Sequence, residues 1–588
     1  MLLAVACAIP FVGALIALAH PTWYPTLDLA HSSLRVRDVF STDPPLIGLP
    51  GRIGSLGQQG SHPGPLSFWA LAPLARIYGG STWALQAATA TLNVIAAFLA
   101  LWMARRRGGT PVLLGVGAAL ALLLAFYGPD ILTEAWNPYL PVMWWFVFLI
   151  AVWSVWSDDF ATLPVLVFAA SVCLQTHISY AGLASGLSGL TAIWLAWSLR
   201  KRWSDRAARR SLLWWIGGSA ALGVLLWLPP VIQQLTGENG NLRILYGHFT
   251  DPPEEAVGFG VGIRVMLVHL NPWRLVSGAD SMHGATLPGA LFAIAWAAAA
   301  VGAWRMRVRE LIRLDLVVGI ALALAFISAS RIFGFLWFYL VLWSWSVTVL
   351  MLVCIGWAVA VAIGRRSSDG SRPTLVVAGW SIMAVVMVAA LVSFTLQSAD
   401  AESPDFRLSE MLRVLVPPTE HQLDAAKVAG CGPDGKLLVT WTDPVSIGAA
   451  GFGLLDALDR RGFDVGVGPE FKSSMTRGRS FFRSEARCEV HLAIGRRAID
   501  EWAAKSAARR VAYAPQSARD RAEYQRLRRS AASALRKAGL ADLAPVIDDS
   551  LFMASIAPGV PDQTRRQLER MLELGQPAAI FVEPTAGT

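Results

Sequence analysis

Long apolar stretches alternate with short polar loops over the first two-thirds of the chain. A helix that crosses a bilayer needs roughly 20 mostly apolar residues, and stretches of that size recur about eleven times. They lie near 1–19, 82–103, 111–127, 139–156, 160–176, 180–199, 211–229, 286–304, 314–330, 333–362 and 374–396. A shorter apolar run at 66–78 contains Pro73 and Arg76 and is typical of a helix lying along the membrane surface. The pattern predicts an α-helical polytopic membrane protein.

Beyond residue 397 the pattern changes to short apolar runs separated by amphipathic stretches. The runs at 436–441, 490–494, 509–513 and 578–582 have the length and composition of strands. Alternation with helical stretches is typical of a layered α/β domain with some parallel pairing. We therefore expect a membrane domain over 1–396 and an α/β domain over 397–588.

A glycine motif, GAAGFG, opens one helical stretch of the α/β domain. Its glycines, Gly448, Gly451 and Gly453, stand in the wrong order for the dinucleotide-binding fingerprint. We therefore expect a packing or acceptor-binding role for this motif.

Composition and charge agree with this division. The chain is 54% hydrophobic and only 15% charged, whereas a soluble domain carries about 25% charged residues. A single soluble globule, a disordered chain and a collagen-like fibre are thereby excluded. Residues 1–399 hold 24 Lys/Arg and 16 Asp/Glu, and residues 400–588 hold 26 and 25. Because acids are interleaved with bases in the near-neutral α/β domain, we expect no nucleic-acid partner.

Basic loops indicate how the chain is oriented. Lys and Arg gather in alternate loops at 105–107, 200–210, 305–313 and 365–372. Short cytoplasmic loops retain such residues. The acidic loop at 157–159 is the one poor fit. The sequence predicts a multi-pass plasma-membrane protein with a cytoplasmic N-terminus and an extracytoplasmic α/β domain.

Cysteine positions are consistent with that orientation. Cys431 and Cys488 are the only pair in the α/β domain, and each precedes a strand-like run. Neighbouring parallel strands would bring the two sulfurs together, and an extracytoplasmic compartment permits the bond. We predict a disulfide; two unrelated thiols are the alternative.

Unusual polar residues gather in the outer loops 20–66, 128–138 and 230–285. Asp28 lies a few residues beyond the first span, within an apolar and aromatic stretch. Ionisable groups at membrane depth are costly and tend to mark functional sites. Arg331 lies between two apolar spans, where it is either a site residue or an anchor that reaches the interface.

An acid at the outer face, with cations and aromatic rings nearby, suits sugar transfer from a phosphorylated lipid. A base must take the proton of the acceptor hydroxyl. No general acid is required, because phosphate leaves as a stable anion. Cations then stabilise the departing phosphate. One well-placed aspartate therefore suffices.

Several segments together resemble the GT-C membrane glycosyltransferases, which include protein O-mannosyltransferases and lipid A aminoarabinose transferases. The first is DLAHSSLRVRDVFSTDPPLIGLPGR, followed by SHPGPLSFWALAPLARIYG. The RVRDV and HPGP patterns, with WNPYLPV, QTHISY and a later GNL, are similar to actinobacterial-type transferases of this group. The resemblance covers roughly 1–396 and implies a polyprenyl-phosphate sugar donor.

The resemblance implies roles for individual residues. Asp28 matches the catalytic aspartate of the first outer loop, but Leu29 follows it where the family has a second acid, so Asp38 stays the rival base. His62 stands near the place of a lysine that contacts the donor phosphate. Because histidine is only partly charged near neutral pH, phosphate binding is expected to involve further cations: Arg331, Arg52 and Arg37.

The remaining site residues are expected to line the sugar or acceptor pocket. They are Trp136, Asn137, His177 and Tyr180. Glu134 or Asp38 would contact sugar hydroxyls or a divalent cation, and the sequence leaves that choice open. No metal site and no resident cofactor are assigned.

The leading hypothesis is an inverting glycosyltransferase that acts on an envelope glycan, lipid or protein, with a mannosyl or arabinofuranosyl unit as the transferred sugar. A transporter or flippase of lipid-linked sugars is the first alternative, although it would favour internal repeats and charges at the membrane midplane. A non-catalytic envelope-assembly protein is the second, and it predicts that Asp28→Asn is harmless.

Overall fold

The computed structural model describes residues 2–54, 59–237, 240–278, 281–366, 372–425, 431–475 and 478–585. The chain forms two compact units. One, here the membrane unit, comprises Met1–Ala19 and Pro45–Glu402. The other, here the α/β unit, comprises His20–Pro44 and Ser403–Thr588.

Helices dominate the described chain, and five strands lie near its C-terminal end. In chain order the helices are α1 (Leu2–Ala17), α2 (Leu27–Asp38), α3 (Leu66–Ile77), α4 (Thr82–Thr133), α5 (Val142–Trp156), α6 (Leu163–Thr176), α7 (Ala181–Lys201), α8 (Arg206–Thr236), α9 (Asn241–Thr250), α10 (Gly258–His269), α11 (Trp273–Ser277), α12 (Leu287–Arg305), α13 (Arg309–Ser330), α14 (Ser344–Arg366), α15 (Arg372–Ala399), α16 (Phe406–Asp424), α17 (Ala449–Arg461), α18 (Arg496–Ala503), α19 (Ala518–Lys537), α20 (Leu543–Asp549), α21 (Leu551–Ile556) and α22 (Asp562–Leu574). The strands are β1 (Leu437–Thr442), β2 (Val465–Gly466), β3 (Cys488–Ile494), β4 (Arg509–Ala514) and β5 (Ala578–Pro584).

Each apolar segment expected to span the membrane is helical. Within the described residues, seven helices are long and apolar enough to cross a bilayer. The 52-residue α4 covers two of the expected segments, and its backbone leaves helical geometry at Gly108, Gly109 and Gly128. The shorter apolar helices α1, α5 and α6 account for three more expected segments. The chain is therefore an α-helical polytopic membrane protein.

The centre of the membrane unit is α5, in which every residue is buried. A helix that is apolar on all sides is typical of a protein core or a membrane span, and α5 is covered by neighbours that include α4 and α6. The loop expected at 230–285 contains three helices instead, α9, α10 and α11. Val265, Met266 and Val268 of α10 are buried, and α10 packs against α13, so this helix depends on tertiary contacts.

The α/β unit is built on a five-stranded mixed sheet in the order β2-β1-β3-β5-β4. Strand β1 pairs in parallel with β2 and β3, whereas β5 is antiparallel to β3 and β4. All seven residues of β3 are buried, as is typical of a strand covered on both faces. The layered α/β architecture with some parallel pairing is as the sequence predicted.

The sulfurs of Cys431 and Cys488 are bonded in the described structure, with their Cα atoms 5.7 Å apart. Cys488 begins β3 and is in parallel register with Leu437, the first residue of β1, and Cys431 lies in the segment just before β1. The predicted disulfide is therefore present.

The boundary between the units differs from the one expected at residue 397. Residues 20–44 belong to the α/β unit, whose C-terminal part begins at Ser403. Within that unit, the indole of Trp23 donates to the carbonyl of Pro404 at 3.1 Å, and α2 packs against α17. A local pattern cannot reveal this grouping, because the partners lie 381 positions apart in the chain.

Candidate active site

Asp28 lies at the beginning of α2 in the α/β unit. The preceding residue, Leu27, has a φ of 44°, which is a strained conformation for a side chain other than glycine. Such strain costs about 1–3 kcal/mol and persists only where the surroundings impose it. The side chain of Asp28 is 35% exposed, so its carboxylate remains accessible. Strained backbone beside an accessible acid is typical of a functional site.

The start of α2 is held by the residues that open α16. The Thr26 hydroxyl donates to the carboxylate of Asp405, and the backbone N–H of Tyr24 donates to the Ser409 hydroxyl at 2.9 Å. Asp405 itself has a φ of 49°. Burial raises the pKa of Asp405, the Thr26 hydrogen bond lowers it, and the charge of Asp28 raises it again, with a net increase. Two carboxyl groups therefore influence each other here.

The glycine motif of α17 allows close packing at this place. A Cβ on Gly453 would lie 2.8 Å from the Pro25 carbonyl oxygen. A Cβ on Gly451 would lie 2.3 Å from the ring of Trp441. Both distances are shorter than real Cβ contacts, so these glycines are required for close approach. Of the two roles expected for the motif, the contacts favour packing.

His31 lies one helical turn after Asp28. Its side chain is 4% exposed, and its Nδ1 is 3.9 Å from Oδ1 of Asp28. The imidazole meets the ring of Phe452 edge to face, with centroids 4.4 Å apart. The sequence motifs do not single out His31, although its i, i+3 spacing from Asp28 on a helix is a usable signal.

Asp38, the rival base, forms ion pairs at the other end of α2. Its carboxylate oxygens accept from Arg479 at 2.6 and 2.9 Å, and its side chain is 7% exposed. A bidentate pair of this kind is strong and geometrically specific. The carboxylate of Asp38 is therefore held in a buried ion pair, whereas the side chain of Asp28 is 35% exposed.

Arg37, one of the expected phosphate ligands, belongs to the same network. It donates to Asp456 at 2.8 Å and to Asp459 at 2.6 Å. Burial alone would raise the pKa of Asp459, but Arg479 and Arg37 lower it below its ordinary value. These ion pairs fix α2 to α17, so Arg37 is already engaged by acids.

In the membrane unit, two sequence motifs meet at a pair of histidines. His62 of the HPGP motif and His177 of the QTHISY motif stack with ring centroids 4.6 Å apart. The N–H of Ile178 donates to Nδ1 of His62 at 3.1 Å, and the N–H of Gly64 donates to the Gln175 carbonyl at 3.1 Å. The sequence placed both histidines in the site without revealing their contact.

A third motif fixes the turn that carries His62. The Asn241 amide accepts from the Ser61 N–H at 2.8 Å and donates to the Ser61 carbonyl at 3.0 Å. Asn241 is the asparagine of the GNL motif. Three segments of the resemblance therefore converge on His62.

The N–H of Ile178 indicates the tautomer of His62. Nδ1 of His62 accepts from this backbone N–H, and an imidazole nitrogen that accepts carries no proton. In a neutral His62 ring the proton is therefore on Nε2. Nδ1 of His177 is 2.8 Å from the Ser179 hydroxyl and 3.3 Å from the Ser179 backbone nitrogen.

Aromatic rings continue from this histidine pair. Tyr339, which sequence analysis missed, lies 6.2 Å from the His177 ring and 4.9 Å from the Trp136 ring, centroid to centroid. Trp136 also meets Tyr139 at 4.8 Å. We call His62, His177, Trp136, Tyr139 and Tyr339 the imidazole–aromatic cluster.

Three further expected pocket residues differ in accessibility. Asn137 is buried and Tyr180 is 1% exposed, with the Tyr180 ring 5.9 Å from that of Trp145. Glu134 is partly exposed. The burial of Tyr180 in the helix core favours packing over direct contact with a sugar.

Arg52 and Arg331 lie on neighbouring loops of the membrane unit. Arg52 donates to Glu254 at 2.7 Å, and both side chains are about half exposed. The Arg331 guanidinium lies over the ring of Phe333 at 5.4 Å. The N–H of Gly334 donates to the Glu255 carbonyl at 3.0 Å. The segment with Glu254 and Glu255 therefore contacts both the loop of Arg52 and the loop of Arg331.

Within the described ranges, no three His, Cys, Asp or Glu side chains are arranged to hold a metal ion. A divalent cation at Glu134 or Asp38 stays a prediction.

Fold and site together define a polytopic helical membrane protein with a C-terminal α/β domain and an accessible acid on a strained helix start. No protein-family model matches the chain, and no curated protein does. Among solved structures, ArnT from Cupriavidus metallidurans bound to undecaprenyl phosphate is similar, with a TM-score of 0.50 and 13% identity over 86% of this chain and 95% of that chain. The protein therefore has the GT-C fold that the motifs predicted.

Two other solved structures are similar to a lesser degree. Apo ArnT from the same organism has a TM-score of 0.49 and 14% identity, over 86% of this chain and 95% of that chain. The archaeal oligosaccharyltransferase AglB from Archaeoglobus fulgidus, in complex with an inhibitory peptide and a dolichol-phosphate, has a TM-score of 0.35. Its identity is 13%, over 72% of this chain and 59% of that chain.

Proposed function

We propose that this protein is a membrane glycosyltransferase that moves a sugar from a polyprenyl-phosphate donor to an extracytoplasmic hydroxyl acceptor, with inversion. The observation that carries the proposal is the setting of Asp28, an accessible acid on strained backbone beside a buried acid. It occurs in a fold similar to that of ArnT, which is bound to undecaprenyl phosphate in its crystal structure.

In the proposed reaction Asp28 is the general base. Its carboxylate takes the proton of the acceptor hydroxyl while the acceptor oxygen attacks the anomeric carbon of the sugar. The bond between that carbon and the phosphate oxygen breaks, and the lipid phosphate leaves with the electron pair. Because the leaving group is a stable anion, no acid is needed. The engagement of Asp38 with Arg479 supports Asp28 over Asp38.

The membrane unit offers groups suited to the donor. Nε2–H of His62 is a neutral donor for a phosphate oxygen, and Arg331 and Arg52 supply positive charge. Arg331 is the better candidate cation, since Arg52 is paired with Glu254. Arg37 is the weakest of the four candidate phosphate ligands, because two aspartates already bind it.

The aromatic rings of the membrane unit support a sugar linked to a prenyl chain as the substrate. Trp136, Tyr139 and Tyr339 offer ring faces of the kind that sugars and prenyl chains pack against, and His177 and Glu134 offer hydrogen bonds to hydroxyl groups. Following the narrower resemblance, we propose a mannosyl or arabinofuranosyl unit as the sugar and an envelope glycan, lipid or protein as the acceptor.

Transfer of radiolabelled sugar from polyprenyl-phosphate donors tests the proposal. Membranes would contain wild-type protein, Asp28→Asn or Asp38→Asn, and transfer would be normalised to folded protein. We expect Asp28→Asn to lower transfer by at least about 10²-fold, the usual contribution of a general base. Asp38→Asn weakens an ion pair, so it should lower the yield of folded protein and leave specific transfer largely intact.

Two results would count against this assignment. If folded Asp38→Asn protein alone lost transfer per folded molecule, Asp38 at the end of α2 would be the base. Absence of transfer by wild type from every mannosyl and arabinofuranosyl donor would favour a transporter or an assembly protein.

A further inference from the structure

His31 is a buried polar side chain that packing alone does not explain. Its ring is 4% exposed, and among the described residues neither of its nitrogens has a hydrogen-bond partner. Buried polar atoms in folded proteins nearly always have partners, so each exception calls for a reason. A phenylalanine would fill the same place beside Phe452 without leaving polar atoms unpaired.

The carboxylate of Asp28 offers such a reason. Nδ1 of His31 is 3.9 Å from Oδ1 of Asp28, one turn earlier on α2. That separation is about 1 Å longer than a hydrogen bond. Hydrogen bonds of catalytic groups are often long without substrate and shorten in the complex.

The surroundings limit how the pair can move. The edge-to-face contact with Phe452 fixes one side of the imidazole, and the strained Leu27 together with the Thr26–Asp405 hydrogen bond fixes the start of α2. Any closing of the gap is therefore left to the Asp28 side chain.

We propose that His31 is the positioning residue of Asp28: with substrate bound, Nδ1–H of His31 donates to Oδ1 of Asp28 and leaves Oδ2 to accept the proton of the acceptor hydroxyl. This inference rests on the proposed function of Asp28 as the base. His31 does not touch the reacting atoms. Its contribution is to select one orientation of the carboxylate.

Steady-state transfer by four variants of the full chain tests this role. His31→Phe keeps the ring and removes the donor, and His31→Leu repeats the test should the first variant not fold. His31→Asn places an amide N–H near the position of Nδ1. Ser32→Ala is the matched control, because Ser32 is a buried neighbour on α2 whose hydroxyl also lacks a partner among the described residues.

The expected pattern is a fall in kcat for the donor-free variants and partial rescue by asparagine. Misplacement of a catalytic group by about 1 Å costs about 10²-fold, so His31→Phe should lower kcat by that factor with little change in KM. His31→Asn should recover most of this loss, and Ser32→Ala should match wild type. A change in kcat without a change in KM indicates an interaction made in the transition state.

Other patterns would overturn the inference. Wild-type kcat in folded His31→Phe or His31→Leu would show that the imidazole only packs. Equal losses in His31→Asn and His31→Phe would remove the hydrogen bond as the cause. Asp28→Asn, assayed in parallel, separates the two proposals: if it keeps wild-type transfer, the base assignment fails; if it loses transfer and His31→Phe does not, only the positioning role fails.

Discussion

At the scale of single residues, His491 shows how the sheet accommodates a buried imidazole. Its Nδ1 is 2.7 Å from the Thr440 hydroxyl and its Nε2 is 3.1 Å from the Thr442 hydroxyl. Its ring stacks on Trp502 with centroids 3.8 Å apart. Burial, and secondarily the charge of Lys505, lower the pKa of His491 to about 3. The folded protein therefore keeps this ring neutral.

A pH dependence of stability follows. An unfolded histidine has a pKa of about 6.5, so between about 3 and 6.5 the unfolded chain binds the extra proton. The stabilisation that comes from keeping His491 neutral is fully present above about pH 6.5 and is lost as the pH falls toward 3.

We expect hydrogen-exchange protection of β1 and β3, corrected for intrinsic exchange, to fall between pH 7 and pH 5. His491→Gln cannot titrate and should lose less protection; an equal loss in both proteins would refute the assignment to His491.

The two aspartates of α2 show why residue type alone does not give a role. Asp28 and Asp38 lie on the same helix, and the motifs left both as candidate bases. Asp38 is bound by Arg479, whereas Asp28 is close enough to Asp405 to raise its pKa. The difference comes from residues more than 370 positions away in the chain, which no local pattern can include.

At the scale of elements, the disulfide joins the segment before β1 to the first residue of β3. The bond closes a separation of 57 residues, which includes α17 and β2. A cross-link of this length removes loop-closure entropy from the unfolded chain and stabilises the fold by about 4 kcal/mol.

We therefore expect the double variant Cys431→Ser/Cys488→Ser to lower the free energy of unfolding of the α/β unit by about that amount. Denaturant titration followed by hydrogen exchange of β1 and β3 measures the change. A reductant should destabilise wild type to the same extent and leave the double variant unchanged. Equal stability of the two proteins without reductant would contradict the expected contribution.

At the scale of the whole molecule, the orientation in the membrane is a prediction from the loop charges. The basic loops predict a cytoplasmic N-terminus and an extracytoplasmic α/β domain, and the disulfide is consistent with an oxidising compartment. An alkaline phosphatase fused after residue 588 should be active, whereas a green fluorescent protein in the same place should be dark. Fluorescence of that fusion would show the opposite topology, with Asp28 on the cytoplasmic side.

Features that depend on neighbouring residues were predictable from the amino-acid sequence. The spanning helices and the strands were predictable because each follows from the periodicity and length of one apolar segment. The GT-C fold was predictable from several short motifs taken together. The disulfide followed from the position of each cysteine before a strand.

Only the tertiary structure decided which of these segments meet. It joined residues 20–44 to the α/β unit, engaged Asp38 and Arg37 with distant charges, and brought His62 against His177. It also formed α10 within an expected loop and placed Asp405 close to Asp28. The physical reason is the same in each case: burial and charge pairing act between segments that are far apart in the chain, and the sequence of one segment does not specify its partner.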